Sequence, residues 1–267
     1  IVAVINSLLD GRLATGKKIE QFERAFADYL GVKDAVTVSS GSDADMIAIN
    51  ALTNPHLKNP MKNGDEVLTC ALNFATPISS ILQNNLRPVL VDTKLGNYTM
   101  DTDVIEDAIS EKTKAILAVH IFGNSCKMND IIKMAEEHSL YVIEDCCDAH
   151  GTTYDGKKVG SIGNMGTFSF YPAHQMTLME GGAITTSDDQ LSYLLKSLRM
   201  WGRALPCKFC GNDMSKSCPI NHNYNIAGME NYDMSYLFIN IGFNSKLLEL
   251  QGGFGLEQLA RLDEFNK

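Results

Sequence analysis

Short apolar runs alternate with amphipathic stretches along most of the chain. In segment 17–31, Ile19, Phe22, Phe26 and Leu30 lie at helical spacing and a glycine follows them, so the pattern predicts a helix that ends there. Other runs are short and rich in β-branched or aromatic residues, which predicts strands. These strand segments are 35–38, 66–70, 87–92, 115–122, 140–146, 166–171 and 181–186.

Helical patterns over 129–139 and 190–201 separate some of these strands. Strands that alternate with helices are typical of an α/β fold, in which a mostly parallel sheet has helices on both faces. No internal repeat or low-complexity segment interrupts the alternation. Two long polar stretches, 58–65 and 207–233, predict irregular structure, and a loop as long as the second is usually functional or disordered.

Composition limits the classes of protein that fit. The chain has 267 residues, of which 45% are hydrophobic and 21% charged, enough for one substantial core. Its net charge of −9, without a lysine or arginine run, disfavours nucleic acid or an anionic membrane as partner and favours a small molecule. No apolar run is long enough to span a bilayer and no signal-peptide pattern opens the chain, so the expected location is the cytoplasm. There the seven cysteines are expected to be thiols or metal ligands.

Residues that directly follow the strands are the candidates for a site, because ligands of such sheets collect at the carboxyl ends of strands. The segment 39–44, SSGSDA, follows a strand and begins a helix, where free backbone N–H groups suit a phosphate. An ordinary capped helix start is the more common explanation of the same residues. The segment therefore indicates a phosphate site only in combination with others.

Three further positions complete this combination. Asp145 and Asp148 end the strand at 140–146, where an acid is as often a helix cap as a functional group. Phe74 follows the strand at 66–70, and His174 lies between an aromatic strand and a glycine turn. A phosphate cradle, a carboxylate, an aromatic ring and a basic residue after successive strands could together hold a flat phosphorylated cofactor.

Five motifs in chain order resemble those of the DegT/DnrJ/EryC1/StrS family of sugar aminotransferases, which are pyridoxal phosphate (PLP) enzymes of fold type I. The resemblance extends over essentially the whole chain. The motifs are GSDA (41–44), NFATP (73–77), VIEDCCDAHG (142–151), GTFSFYPAHQMTLMEGGA (166–183) and GFNSKLLELQGG (242–253). The cofactor-binding residues that it implies are Gly41, Ser42, Asp43, Phe74, Asp145, Asp148, Ser169 and Asn244.

The resemblance also implies a role for each of these residues. Ser42, Asp43 and Ser169 would bind the phosphate, and the aromatic ring of the NFATP motif would stack on the cofactor. Asp145 would pair with the pyridine nitrogen, since a carboxylate there keeps the ring protonated and able to accept electrons. Asn244 matches a residue that the family extends to the phosphate of a neighbouring subunit, which implies a homodimer.

His174 departs from the common family pattern, which has a lysine bonded to the cofactor at this position. An imidazole cannot form that bond but can move a proton near neutral pH. The histidine is similar to that of the sugar 3-dehydrases of the family, which use pyridoxamine phosphate (PMP). In them it acts as the base while the C3 hydroxyl leaves a nucleotide-linked 4-keto-6-deoxyhexose. A degenerate, inactive site is the alternative.

The cysteines suggest which 3-dehydrase branch the chain resembles. Cys207, Cys210 and Cys218 lie in one polar loop and Cys147 follows a strand, so four thiolates could bind zinc or an iron–sulfur cluster. The loop resembles that of the CDP-6-deoxy-L-threo-D-glycero-4-hexulose-3-dehydrases, which bind a [2Fe-2S] cluster. Here two residues separate Cys207 from Cys210 where that branch has one. Structural zinc and unrelated thiols remain as alternatives.

The resemblance implies partners and a domain organisation as well. Elimination leaves the product two electrons short, which a cluster would supply singly from a flavin and iron–sulfur NADH-dependent reductase. The family continues into a smaller C-terminal domain after the helix matching 255–265. We therefore expect residues 1–267 to be the large domain, with the small domain absent or truncated, in a deoxysugar pathway of lipopolysaccharide O-antigen biosynthesis.

Overall fold

A seven-stranded sheet carries the segments predicted as strands. The computed structural model of the chain describes residues 1–11, 13–204, 224–226, 228–233 and 236–267. The strands within these ranges are β1 (Asp34–Val38), β2 (Glu66–Cys70), β3 (Arg87–Val91), β4 (Thr113–Val119), β5 (Tyr141–Asp145), β6 (Thr153–Tyr154), β7 (Lys157–Lys158), β8 (Met165–Ser169), β9 (Gly182–Thr186), β10 (Tyr224–Ile226) and β11 (Met229–Tyr232).

The order of the main sheet is β1-β9-β8-β5-β4-β2-β3. β9 pairs antiparallel with both of its neighbours, and the remaining pairs are parallel. The carboxyl ends of β1, β2, β4, β5 and β8 therefore meet at one edge. This arrangement confirms the prediction of a mostly parallel α/β sheet.

Helices surround the sheet. They are α1 (Val2–Leu9), α2 (Lys17–Leu30), α3 (Gly41–Leu52), α4 (Ala75–Gln83), α5 (Ile105–Ala108), α6 (Met128–His138), α7 (Asp189–Leu198), α8 (Glu249–Leu259) and α9 (Leu262–Phe265), with 3₁₀ turns at Thr102–Val104 and Ile121–Gly123.

The predicted helix at 17–31 is α2, and its apolar stripe is buried. Phe22 and Phe26 are at most 1% exposed, stack on each other and contact Phe170 edge to face. Burial of each such ring contributes about 2–3 kcal/mol. The helix ends because Gly31 takes a left-handed conformation (φ 75°) and donates its N–H to the carbonyl of Ala27.

Alternate residues of the strands face two different helical layers. Val36 and Leu117 pack in one cluster with side chains of α3 and α7. On the other face, Ala35 packs with residues of α2, whereas Ile116 packs with residues of α6. Both faces of the sheet are thus covered, as the near-continuous apolar runs of the strands predict.

Three details differ from the sequence prediction. A short hairpin, β10–β11, lies within 207–233, where the polar composition predicts irregular structure. The helix expected over 255–265 is divided between α8 and α9. The helix expected to reach Trp201 ends at Leu198, because Trp201 and Gly202 both take positive φ angles. Across the described ranges, no helix combines the length and apolar character needed to cross a bilayer.

Candidate active site

The start of α3 lies against the end of β8 and forms the predicted phosphate cradle. Ser40 caps the helix, its hydroxyl accepting the Asp43 N–H at 3.0 Å. The first-turn N–H groups of Gly41 and Ser42 have no partner inside the helix, which makes them available to an anion. A Cβ on Gly41 would lie 2.5 Å from the Ser169 Cβ, so glycine is needed for this close approach. The structure therefore brings Gly41, Ser42 and Ser169 together.

Asp43 has other partners within the chain. Its carboxylate accepts hydrogen bonds from the hydroxyls of Ser39 and Ser245, the latter at 2.8 Å. Ser245 also accepts the Ser39 N–H at 3.0 Å, so the segment next to Asn244 is fixed to the cradle. With its N–H on Ser40 and its carboxylate on two serines, Asp43 shapes the cradle. Direct contact with a phosphate stays a prediction.

Asp145 ends β5 at the same edge of the sheet. It is 6% exposed and its Oδ1 accepts the Cys147 N–H at 3.0 Å. Burial raises the pKa of Asp145 in spite of that hydrogen bond, which lowers it. A cation beside this carboxyl would offset the cost of burial, as a protonated pyridine nitrogen does. The position therefore fits the predicted partner of a cofactor ring.

His174 lies in the turn after β8, next to Asp148. Its Nδ1 is 3.4 Å from Asp148 Oδ1, and its side chain is 20% exposed. With a proton on Nδ1 facing the carboxylate, Nε2 keeps a lone pair and can accept a proton. This geometry fits the predicted role of His174 as a base. In the sequence, His174 and Asp148 belong to two separate motifs.

Behind His174 lies His150, which sequence reasoning missed as a site residue. The two rings are stacked with centroids 6.3 Å apart. His150 Nε2 donates to the Ser169 carbonyl at 2.8 Å. Burial lowers the pKa of His150 to about 3, so this ring is neutral and packs as an uncharged group between Ser169 and His174.

Phe74 and Asn244 are both exposed at the edge of the candidate site. Phe74 is the N-cap residue of α4 and is 74% exposed, an unusual position for an aromatic ring unless a ligand or another subunit covers it. Asn244 Oδ1 accepts a hydrogen bond from Lys246 at 2.9 Å. Stacking by Phe74 and a phosphate contact from Asn244 of another subunit stay predictions.

Of the four predicted metal ligands, the described part of the chain includes Cys147 alone. It is half-buried and forms no disulfide with another described cysteine, and burial together with Asp145 raises the pKa of its thiol. Metal binding at Cys147 would therefore release a proton. Cys207, Cys210 and Cys218 lie outside the described residues.

A second set of candidate ligands, His120, Glu144 and Cys146, lies at the ends of β4 and β5 with ligand atoms within 4.8 Å of one another. Glu144 accepts the N–H groups of Gly160, Ile162 and Gly163 at 2.7–2.9 Å and the His120 ring nitrogen at 3.1 Å. Burial would raise the pKa of Glu144, but these partners outweigh it and the pKa lies below its ordinary value. With the Glu144 oxygens fully used, the set holds the 160–163 turn and is structural.

Glu144→Gln should lower the free energy of unfolding by about 3 kcal/mol, because the new amide NH₂ faces backbone donors in a buried site. Chemical denaturation of the two proteins would measure the loss. Glu137→Gln is a matched control on the surface, where the pair with Lys133 is exposed and the change should stay within about 0.5 kcal/mol. A loss below about 1 kcal/mol for Glu144→Gln would contradict the structural role.

The candidate site also contains buried polar atoms that have no partner among the described residues. They include Asn73 Oδ1, next to Phe74, and Gln175 Oε1, next to His174. Buried polar atoms in native proteins are nearly always hydrogen-bonded, so a bound group is expected to satisfy these. Together with the glycine-dependent cradle, they indicate that the residues fit a phosphorylated cofactor.

Comparison with known proteins agrees with this geometry. Residues 1–267 match the profile of the DegT/DnrJ/EryC1/StrS aminotransferase family. The chain is 39% identical over 264 residues to the lipopolysaccharide biosynthesis protein RfbH of Salmonella typhimurium, covering 98% of this chain and 60% of the relative. It is also 39% identical over 266 residues to dTDP-4-dehydro-2,6-dideoxy-D-glucose 3-dehydratase of Saccharopolyspora spinosa, covering 99% of this chain and 57% of that protein.

A solved structure of a related enzyme has a similar fold. The Escherichia coli GDP-4-keto-6-deoxy-D-mannose-3-dehydratase with bound hydrated PLP superposes with a TM-score of 0.84 at 32% identity, over 98% of this chain and 64% of that one. The chain thus spans about three fifths of the length of these relatives. Its fold is the PLP-dependent fold type I, and the chain belongs to the DegT/DnrJ/EryC1/StrS aminotransferase family.

Proposed function

We propose that the protein containing this chain removes the C3 hydroxyl from a nucleotide-linked 4-keto-6-deoxyhexose, using PMP and a [2Fe-2S] cluster. The observation that carries the proposal is His174, which takes the place of the family lysine and lies 3.4 Å from Asp148. Homologues that are 3-dehydratases of dTDP- and GDP-linked sugars support the reaction class. The product would lead toward 3,6-dideoxysugars.

Different residues of the chain would bind the phosphate, keep the ring protonated and move the proton. Gly41, Ser42 and Ser169 would hold the phosphate, and Asp145 would hold a proton on the ring nitrogen. The cofactor, when bound, supplies an amine that condenses with the C4 ketone and a ring that accepts electrons. His174 Nε2 would then accept the proton from the cofactor C4′ carbon as the C3–O bond breaks, and it would pass this proton to the leaving hydroxyl, which departs as water.

The nucleotide is the part of the proposal that depends on the cysteine loop. The resemblance of that loop favours CDP-4-keto-6-deoxyglucose as the substrate. The alternative is a cluster-free enzyme of the GDP-4-keto-6-deoxymannose type, favoured by the similarity to the Escherichia coli enzyme. Cys147 is half-buried beside Asp145 and would be the cluster ligand on the sheet.

Four further parts of the proposal concern the surroundings of the site. Residues 1–267 would form the large, cofactor-binding domain. A homodimer would bring Asn244 of one subunit to the phosphate of the other. A flavin and iron–sulfur NADH-dependent reductase would supply two electrons through the cluster. The cytoplasm is the predicted compartment.

Cys210→Ser and Cys218→Ser should each abolish iron binding while PMP remains bound, because cluster and cofactor use different side chains. Anaerobic purification followed by a visible absorption spectrum, with iron, sulfide and zinc analysis, would measure the first effect, and release of the cofactor by acid the second. Cys70→Ser is the matched control, since Cys70 is a buried thiol of β2 that is not among the predicted cluster ligands.

Each of the other outcomes of these measurements would assign this protein to a different functional class. Zinc in place of iron in anaerobic and aerobic preparations would indicate a structural metal site. Full activity of both loop variants would leave the cluster-free dehydratase. A protein that binds a nucleotide sugar but shows no turnover with any reductant would be an inactive homologue.

A further inference from the structure

His150 is a buried histidine to which the proposed function gives no role. It lies in the turn after β5 and is 2% exposed. Its Nε2 is 2.8 Å from the carbonyl oxygen of Ser169, and since a carbonyl can only accept a hydrogen bond, Nε2 carries the proton. Burial lowers the pKa of the ring to about 3. His150 is therefore a neutral imidazole with its hydrogen fixed on one nitrogen.

The hydrogen bond of His150 ends at the phosphate cradle. Ser169 is the last residue of β8, and its carbonyl belongs to the peptide that leads into the turn carrying His174. A Cβ on Gly41 would lie 2.5 Å from the Ser169 Cβ, so the fit between this strand end and α3 is close. The Nε2–H of His150 fixes the peptide at this point. It thereby sets the place of the Ser169 hydroxyl relative to the start of α3.

The ring of His150 lies against the predicted base. The planes of His150 and His174 differ by 26° and their centroids are 6.3 Å apart, within the range of stacked aromatic pairs. Asp148, from the same turn as His150, is 3.4 Å from His174 Nδ1. One of these contacts fixes a face of the His174 ring and the other fixes one of its nitrogens. A neutral ring at position 150 can lie against His174 whether or not His174 holds a proton, whereas a charged ring would repel the protonated form.

Contacts with the core and with the C-cap residue of α9 fix the position of His150 itself. Phe168 and Phe170 approach its ring with centroids 5.4 and 5.6 Å away. Asn266 donates its side-chain N–H to the His150 carbonyl at 2.8 Å. The next residue, Gly151, has a φ of 85°, and a Cβ there would lie 2.4 Å from Asn266 Nδ2, so glycine is needed for this approach. Contacts within the protein thus hold the ring in one place.

We propose that His150 is a positioning residue with two separable roles: its Nε2–H places Ser169 for the cofactor phosphate, and its ring places His174 for proton transfer. The inference rests on the proposed function, in which Ser169 holds the phosphate of PMP and His174 acts as the base. It adds that a single buried side chain connects phosphate binding with the orientation of the base. Because the two contacts use different parts of the ring, a substitution can remove one contact and keep the other.

Two substitutions of His150 separate the two roles. His150→Gln keeps an N–H donor but has no ring, whereas His150→Phe keeps a ring but has no donor. In His150→Gln the Kd of PMP should stay within about threefold of wild type, while dehydration at saturating PMP should slow about tenfold or more because the base is no longer held in place. In His150→Phe the Kd should rise about tenfold and the rate should stay within about threefold, because the Ser169 carbonyl loses its buried donor.

Equilibrium titration with PMP measures the Kd. Single-turnover assays with the CDP- or GDP-linked 4-keto-6-deoxyhexose that wild type accepts measure the rate. Any other distribution of the two losses overturns the inference. Loss of both quantities in both variants would mean that His150 only fills the core, and loss of neither in either variant would mean that it has no role in the site.

A surface variant provides a second test if thermal unfolding shows that a His150 variant does not fold. Asn266 is exposed, and Asn266→Ala releases the His150 carbonyl without changing the buried ring. It should alter both the Kd of PMP and the rate by about threefold or more, and unchanged values contradict the proposal. Asn129→Ala is the matched control, since Asn129 bonds the exposed Asp155 at 2.7 Å and its loss should change neither quantity.

Wild type and His174→Asn separate this inference from the proposed function. If wild type binds no PMP, or if His174→Asn dehydrates the sugar as fast as wild type does, the proposed function itself fails. If wild type binds PMP and His174→Asn loses the rate while the two His150 variants do not differ from each other, only the role of His150 is wrong.

Discussion

Changing His174 to asparagine should slow C3 dehydration by about 10²- to 10⁴-fold, the range typical for loss of a general base. The variant should still bind PMP, because the predicted phosphate and ring contacts come from Ser42, Ser169, Phe74 and Asp145. Single-turnover assays with PMP-loaded protein would measure the rate, and equilibrium titration the affinity. His138→Asn is the matched control, since His138 lies on α6 and pairs with Glu106.

His174→Lys tests the position of the side chain independently of the reaction. An amine here, given PLP, should form the covalent bond to the cofactor aldehyde that the imidazole cannot form. The bond would be visible as a new yellow absorption band that borohydride makes permanent. If no such band forms, His174 does not face the cofactor, and the assignment of the β8–β9 segment to the active site is wrong.

Asp145→Asn should lower the rate of dehydration by orders of magnitude with only a modest loss of PMP binding. Asparagine keeps the shape and can still accept the Cys147 N–H, but it removes the charge that holds the ring nitrogen protonated. The ring then becomes a poor electron sink. The rate and the Kd of PMP, measured separately, distinguish this from a folding defect.

A surface carboxylate provides the control for Asp145→Asn. Asp103→Asn removes a carboxylate that pairs with Lys94 in solvent, and it should change neither quantity. An unchanged rate in Asp145→Asn would mean that Asp145 does no more than accept the N–H of Cys147.

The sequence pattern was a good guide where burial decides the structure. The strand at 66–70 and the helix ending at Gly31 match β2 and α2, because continuous apolar runs and a 3.6-residue stripe reflect faces that must be buried. The hairpin β10–β11 was missed because its strands are only three and four residues long. Such short pairing depends on cross-strand contacts that a single segment does not reveal.

The candidate site was predictable only in part, for a similar reason. Motifs indicated His174 and Asp145, since Asp145 ends one strand and His174 follows another. The His150–Ser169 hydrogen bond joins residues 19 positions apart, and His150 was not predicted as a site residue. Nothing in the sequence indicated the structural role of Glu144 either. Its backbone donors come from a loop 16–19 residues later in the chain. Sequence spacing carries no signal for such contacts.

The hairpin formed by β8 and β9 has a consequence for how reaction type can change in this fold. Ser169 pairs with Gly182, and Phe170 donates its N–H to the Gly181 carbonyl at 2.8 Å, so the excursion that carries His174 is closed at its base by the sheet. Leu178 and Thr177 bond back to the Phe170 carbonyl, which closes it a second time. Residues 171–176 therefore lie outside the pairing of β8 with β9. A substitution among them, such as histidine for lysine at position 174, would leave the register of the strands beside the predicted cofactor site unchanged.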